Sequence, residues 1–415
     1  MQRQPAVAND DSDMPVPSQG SGYMVGDEAR PIRSTNRDGR IELLRIVAMS
    51  LIVVCHFTIH MPWNLRGLPG AAGIVSQFVV QNGQIGVVLF FLITGFFQTG
   101  RAFNLHGIIR TWLQTFLYSA MIFVAALAGV VVSPHGAGTR LPEQVAAMLS
   151  SGGTSATRVV MEMLMPVLSG QYWFISAYIL LLFLSPFLNM IFEHGRRDAL
   201  FALLCLLMTC SFLPLLGFTQ TVPFKPVVYA VTCYLIGGYI KTYPDALDTH
   251  NGFAFMAATL TSYAVIMLAF DWVISRRLPF AEALRWEDDP VVLLNGFQVL
   301  MSTVTFRYTV RASRERGPKQ SRLLCLLASG MFSVYLLHDN LAVRHVGFYL
   351  LSTLIAKPES PWACLGLGAL LTVLIFVGFT CLALLLDACI INPLISRLAP
   401  RLENALYSMS HHGIE

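Results

Sequence analysis

The sequence predicts an all-α membrane protein: about ten transmembrane helices bundled around a central cavity, with both termini cytoplasmic. Three observations predict it. Only 13% of the 415 residues are charged, against about 25% in soluble domains, and 55% are hydrophobic with a mean hydropathy of +0.60. Apolar stretches of roughly 20 residues, the length that spans a bilayer, recur along most of the chain. Basic residues gather in alternate loops, which is the signature of topology. A deficit of charge means a lipid-facing surface, so the chain reads as one polytopic domain. The net charge of +4 gives no sign of a nucleic-acid partner. The eight cysteines show no Cys-x-x-Cys and no metal-ligand spacing. They read as small buried hydrophobes, and no metal is expected.

Residues 1–38 are polar and rich in Asp, Pro, Ser, Gly and Arg, which reads as a disordered cytoplasmic tail without a signal peptide. A transmembrane domain follows over 39–390, then a cytoplasmic C-terminal tail over 391–415. The expected spans are 41–59, 79–99, 108–132, 172–192, 199–217, 227–242, 253–273, 290–309, 323–355 and 363–386. With the N-terminus inside, the inner segments hold seventeen Lys and Arg and the outer loops eight. An even number of spans returns the chain to the cytoplasm.

Span one carries Arg45 and His56, with ten residues between them. Eleven steps of α-helix make about three turns plus roughly 20°, so both side chains leave one face, about 16 Å apart along the axis. Ionisable groups at membrane depth are costly and mark functional sites by default. A guanidinium binds anions, and an imidazole titrates near neutrality. The pair suggests an anion anchor near one membrane face and a general base deeper in. Glu42, three residues before Arg45, shares its face and suits an ion pair. The bland alternative is a snorkelling arginine and a hydrogen-bonded structural histidine.

Span two contains Gly86, Thr94 and Gly95, small residues that let helices approach closely. Span three places Arg110 at the inner interface, as a topology charge or a second phosphate contact, with Gln114 and Tyr118 following on one face. The long outer connection 133–171 is positioned to frame an opening. Tyr172 and Trp173 open span four, as an aromatic belt or as a surface on which sugars stack. Span six is short, and Asn295 and Gln298 in span eight suit interhelical hydrogen bonds. Span nine is long and interrupted by His338, Asp339, Arg344 and His345, so it reads as one segment or two. His338 lies fifteen residues past Leu323, as His56 lies fifteen past Ile41. Both fall about 22 Å from the inner end, and two histidines at matched depth could share one cavity. The plain alternative for His338 is a capped structural residue at a helix break.

These stretches together resemble the integral-membrane acyltransferase 3 family, bacterial O-acyltransferases of cell-surface glycans. Glu42-Leu-Leu-Arg45 through His56 resembles that family's arginine and histidine separated by ten residues. Gly86-Val-Val-Leu-Phe-Phe-Leu-Ile-Thr-Gly95 is similar to its second-helix motif. Trp173-Phe-Ile-Ser-Ala-Tyr178 with Leu184-Ser-Pro-Phe-Leu-Asn189 looks like its fourth helix, and Val334-Tyr-Leu-Leu-His338 like its penultimate one. The ordered motifs run from about 40 to 386. Members often carry an Arg-x-x-Arg pair after the second helix; here the stretch is His106-Gly-Ile-Ile-Arg110, which retains only Arg110.

The resemblance implies an O-acetyltransferase of the cell membrane. It would move an acyl group, usually acetyl, from cytoplasmic acyl-CoA to a hydroxyl of a surface glycan, exopolysaccharide or lipid-linked saccharide. It implies that His56 is catalytic and that Arg45 helps bind the donor, with Arg110 as the retained second contact. His338, Tyr335 and Trp173 are then candidates for the acceptor side. The residues leave two routes open, general-base catalysis and a transient acyl-histidine. They also leave two rivals: a proton-coupled secondary transporter, which the missing repeat symmetry disfavours, and a sensor without chemistry.

Overall fold

The computed structural model describes residues 37–132, 156–212, 226–245, 252–275 and 295–412. The expected N-terminal tail up to residue 36, the first part of the 133–171 connection and nearly all of the loop 274–289 lie outside the described residues. The regular elements of the described residues are all helices, with no strand among them. In chain order the helices are α1 Gly39–His60, α2 Gly70–Gln98, α3 Leu105–Val132, α4 Ala156–Leu164, α5 Trp173–His194, α6 Arg197–Phe212 and α7 Pro226–Thr242. There follow α8 Gly252–Ser275, α9 Asn295–Arg316, α10 Arg322–Ser329, α11 Met331–His338, α12 Phe348–Leu354, α13 Pro361–Leu386 and α14 Asn392–His412.

Among the described residues, five helical stretches are long and apolar enough to cross a bilayer, or six if the bent pair Arg322–His338 and Val343–Leu354 is one span. The protein is therefore a multi-pass membrane protein. Helices occur at all ten expected positions, but α6 and α7 have 16 and 17 residues, short of the roughly 20 a straight crossing needs. The second half of α9 carries Arg307, Arg311, Arg314 and Arg316. Two boundaries differ most from the sequence reading. The second helix starts at Gly70 rather than near 79, and the last continues through a π turn, Asp387–Ile391, into α14. The cysteines are not uniformly buried: Cys205, Cys381 and Cys389 are exposed, because a lipid-facing surface accepts small apolar groups as readily as the core does.

α2 is the central staff, gripped on both sides at glycines. A Cβ on Gly86 would lie 2.2 Å from the Ala48 carbonyl oxygen of α1, and one on Gly95 2.1 Å from that of Tyr234 in α7. Lipid tails are as apolar as the helices, so such close backbone packing takes over the role water-driven burial plays in soluble folds. Asn189 of α5 ties the end of this group together. Its amide donates to the carbonyls of Gln98 and Arg101 at 3.1 and 3.2 Å, and its oxygen accepts from Tyr234 Oη at 2.7 Å. Gln298 of α9 reaches Tyr263 of α8 at 3.5 Å.

Each end of α1 is fastened separately. At the start, Asp38 caps the helix, its Oδ1 accepting from Arg40 N at 2.9 Å and Lys319 N at 3.2 Å, while Ser313 donates to its other oxygen. At the end, Phe57, Met61, Trp63 and Leu65 form a second apolar cluster with Phe348, Cys364 and Leu371. That cluster locks the last turns of α1 against α12 and α13.

Burial by itself would raise the Asp38 carboxyl, but the hydrogen bonds from Ser313, Arg40 and Lys319 outweigh it and hold its pKa below the ordinary value. A depressed carboxyl contributes stability above its unfolded pKa and loses it as pH falls through the folded one. Asp38→Ala is expected to cost about 0.5–2 kcal/mol. The wild-type melting temperature in detergent should fall more steeply than the variant's below about pH 4. Coincident melting curves would show that the cap contributes nothing.

Candidate active site

His56 sits one turn before the end of α1, where the clamp around Phe57 holds its backbone. His338 is the last residue of α11, and there the ninth span breaks. The two meet in a compact trio with Asp339: His56 Nδ1 lies 3.0 Å from His338 Nε2 and 3.2 Å from Asp339 Oδ1. His338 is fully buried and the Asp339 side chain is 3% exposed, while the His56 side chain keeps 18%. His56 is thus the member that faces open space.

The hydrogen bonds assign the tautomers. His338 Nδ1 lies 2.7 Å from the Val334 carbonyl oxygen, which only accepts, so Nδ1 carries the proton and Nε2 is an acceptor. His56 Nδ1 must then be the donor to His338 Nε2 and Asp339 Oδ1. The lone pair of His56 is left on Nε2, away from both partners. When that nitrogen takes a proton, the imidazolium already has a carboxylate against its other face.

The break is held by the loop that opens α5. Tyr172 Oη donates to the Leu336 carbonyl at 2.8 Å and accepts from Asn340 Nδ2 at 2.8 Å. Asn340 Oδ1 accepts from Ala342 N at 2.9 Å. The chain turns by 74° across this break, and a π turn, Val343–Gly347, opens the piece that follows. Arg344, in that turn, places Nε 3.6 Å from Asp339 Oδ1 and Nη2 3.3 Å from the Gln171 carbonyl. Irregular backbone at membrane depth is tolerated where protein buries it or where it lines a cavity, and π turns recur at functional sites. The His60 ring lies 5.9 Å from that of His56 and stacks on Phe348.

The remaining expected residues divide. Tyr335 is buried, with its ring edge-on to His338 at 5.7 Å and against Tyr172 at 5.9 Å, so it walls the histidine in. Trp173 packs edge-on against Phe174; its neighbour Tyr172 is the aromatic that reaches the break. Arg45 Nη1 pairs with Glu42 Oε1 at 2.6 Å, and its guanidinium lies over Phe97 at 5.6 Å. Glu42 is buried, and its Oε2 has no partner among the described residues. Arg110 is exposed and donates to Asn392 Oδ1 at 3.0 Å. The face shared by Gln114 and Tyr118 meets Ser333 and Asp387: Tyr118 Oη and Ser333 Oγ donate to Asp387 at 2.9 and 2.7 Å. The sequence gives Tyr172 only as an interfacial or sugar-stacking aromatic, Asp339 and Arg344 only as interruptions of a span, and Asn340 no role. The usable signal was that two charged residues interrupt an apolar span just after His338.

A family model described as an acyltransferase domain, Acyl_transf_3, matches residues 38–388. No curated protein and no solved structure matches the chain.

Tyr172→Phe should leave the Leu336 carbonyl and the Asn340 amide without a partner, at about 1–3 kcal/mol. A lower melting temperature with unchanged membrane insertion is the expected result. An unchanged one would show that the break does not rely on this hydroxyl.

Proposed function

The chain belongs to the Acyl_transf_3 family of acyltransferases, and we propose that it is an O-acyltransferase carrying an acetyl group from cytoplasmic acyl-CoA to a hydroxyl of a cell-surface or exopolysaccharide glycan. The observation that carries this reading is the orientation of His56, whose Nδ1 is engaged by His338 and Asp339 and whose Nε2 is left to act as a base. The acceptor hydroxyl gives its proton to that nitrogen as its oxygen attacks the thioester carbon. Asp339 stabilises the imidazolium, and the proton then leaves with the departing thiolate. General-base catalysis of this kind contributes about 10²–10⁴-fold.

Arg45 and Arg110 stand at the end of the bundle from which α1 and α3 start, and the donor's phosphates suit guanidinium forks. Arg45 is paired with Glu42, so donor binding exchanges an internal partner for a phosphate. Orientation follows the basic loops, with the arginine end and both termini in the cytoplasm. His338 and Tyr335 support His56 from behind in this reading, and the acceptor meets the face they leave uncovered.

Mass spectrometry of surface glycans from cells with and without the gene tests the assignment, together with transfer of label from acetyl-CoA in membranes. His56→Ala is expected to abolish transfer with normal protein levels; normal glycan acetylation in that variant refutes the role. Arg45→Ala removes a charged hydrogen bond of about 1.5–3 kcal/mol, so the acyl-CoA KM should rise at least about tenfold with kcat less affected. An unchanged donor dependence would count against anchoring. A transporter would leave no label on polymer.

A further inference from the structure

Resting on the acyl-transfer reading, we propose that Arg344 is a catalytic residue that receives the negative charge developing on the thioester carbonyl oxygen. The geometry of the shared carboxylate points to it. Asp339 Oδ1 is approached by His56 Nδ1 at 3.2 Å and by Arg344 Nε at 3.6 Å, so one oxygen stands between the base and the guanidinium. The Arg344 contact is too long for a hydrogen bond, and Nε has no hydrogen-bond partner although it is buried. Nη2 is fixed by the Gln171 carbonyl at 3.3 Å, which orients the plane. Nη1 takes part in neither contact. The side chain is 22% exposed and that of His56 18%, so both keep part of their surface outside the cluster formed on Asp339. A guanidinium held in place with donors to spare is what an oxyanion site requires, because preorganised donors need no reorganisation at the moment of reaction.

The charges balance at each stage. At rest the site holds one anion, Asp339, and one cation, Arg344, with His56 neutral. The acceptor's O–H bond breaks and its proton passes to His56 Nε2. The oxygen forms a bond to the thioester carbon, and the carbonyl π pair moves onto its oxygen. Now two cations and two anions are present: the His56 imidazolium lies against Asp339, and the new oxyanion lies against Arg344. The electron pair then returns, the C–S bond breaks, and the thiolate takes the proton from His56. The imidazolium draws on the carboxylate that was weakly engaging Arg344, so the guanidinium becomes a better partner for the oxyanion as that oxyanion forms.

The test uses the full-length protein in nanodiscs with labelled acetyl-CoA and base-deacylated surface polysaccharide from cells carrying the gene. Arg344→Gln is expected to lower kcat about 10²–10³-fold with the acetyl-CoA KM within about twofold. Binding of S-ethyl-CoA, which has no carbonyl, should be unchanged and reports that the variant is folded. Arg344→Lys, which keeps the charge and loses the fork, should fall between. An Arg344→Gln protein that turns over at the wild-type rate, or that loses S-ethyl-CoA affinity in step with its rate, overturns the assignment. Wild-type protein that transfers no label overturns the acyl-transfer reading itself and this assignment with it.

Discussion

A helix that stops inside hydrocarbon must find partners for the backbone groups it releases, and this one requirement shapes the site. The ninth span ends at His338 and resumes after a 74° turn. Tyr172, at the start of α5, donates to the Leu336 carbonyl, and Asn340, in the broken segment, accepts from Ala342 N. Asp339 still takes the last helical hydrogen bond, to Tyr335, and from there its carboxylate reaches the ring of His56. The π turn at Val343–Gly347 then swings Arg344 back over the same carboxylate. Local backbone irregularity therefore brings together three ionisable groups that a straight helix would spread around its circumference.

The same rule of paired charges holds elsewhere in the bundle. Glu42 is buried against Arg45, and Asp387 collects hydrogen bonds from Tyr118 and Ser333. An uncompensated charge in low dielectric is far more costly than a compensated one. Ser333 lies five residues before His338 on α11, so the Asp387 cluster anchors the start of the helix whose end carries the histidine. α2 supplies the rigid frame for both, through glycines that admit carbonyls of α1 and α7.

Much of this was legible in the residues. A membrane bundle follows from charge depletion and recurring apolar runs, and the closeness of His56 and His338 follows from counting equal depths along two helices. Their neighbours were harder to read for definite reasons. Asp339 and Arg344 announced only that a span was interrupted; the bend angle that turns them inward depends on Tyr172, a residue whose aromatic character equally suits the membrane interface. Trp173 carries the larger ring and the stronger motif, yet its helical position points it at Phe174. Helix lengths misled where a span begins with small or polar residues, as α2 does from Gly70 to Asn82, because packing rather than hydropathy sustains those turns.

His338 spends its one N–H on the carbonyl of Val334, a residue of its own helix. A carbonyl has nothing to pass along, so a proton arriving at His56 has no onward path through its neighbour. Two imidazoles in series within a bilayer would otherwise form a conducting wire between compartments. Here the wire is cut at its second member, and a proton taken up by His56 has no route through His338 to the far side.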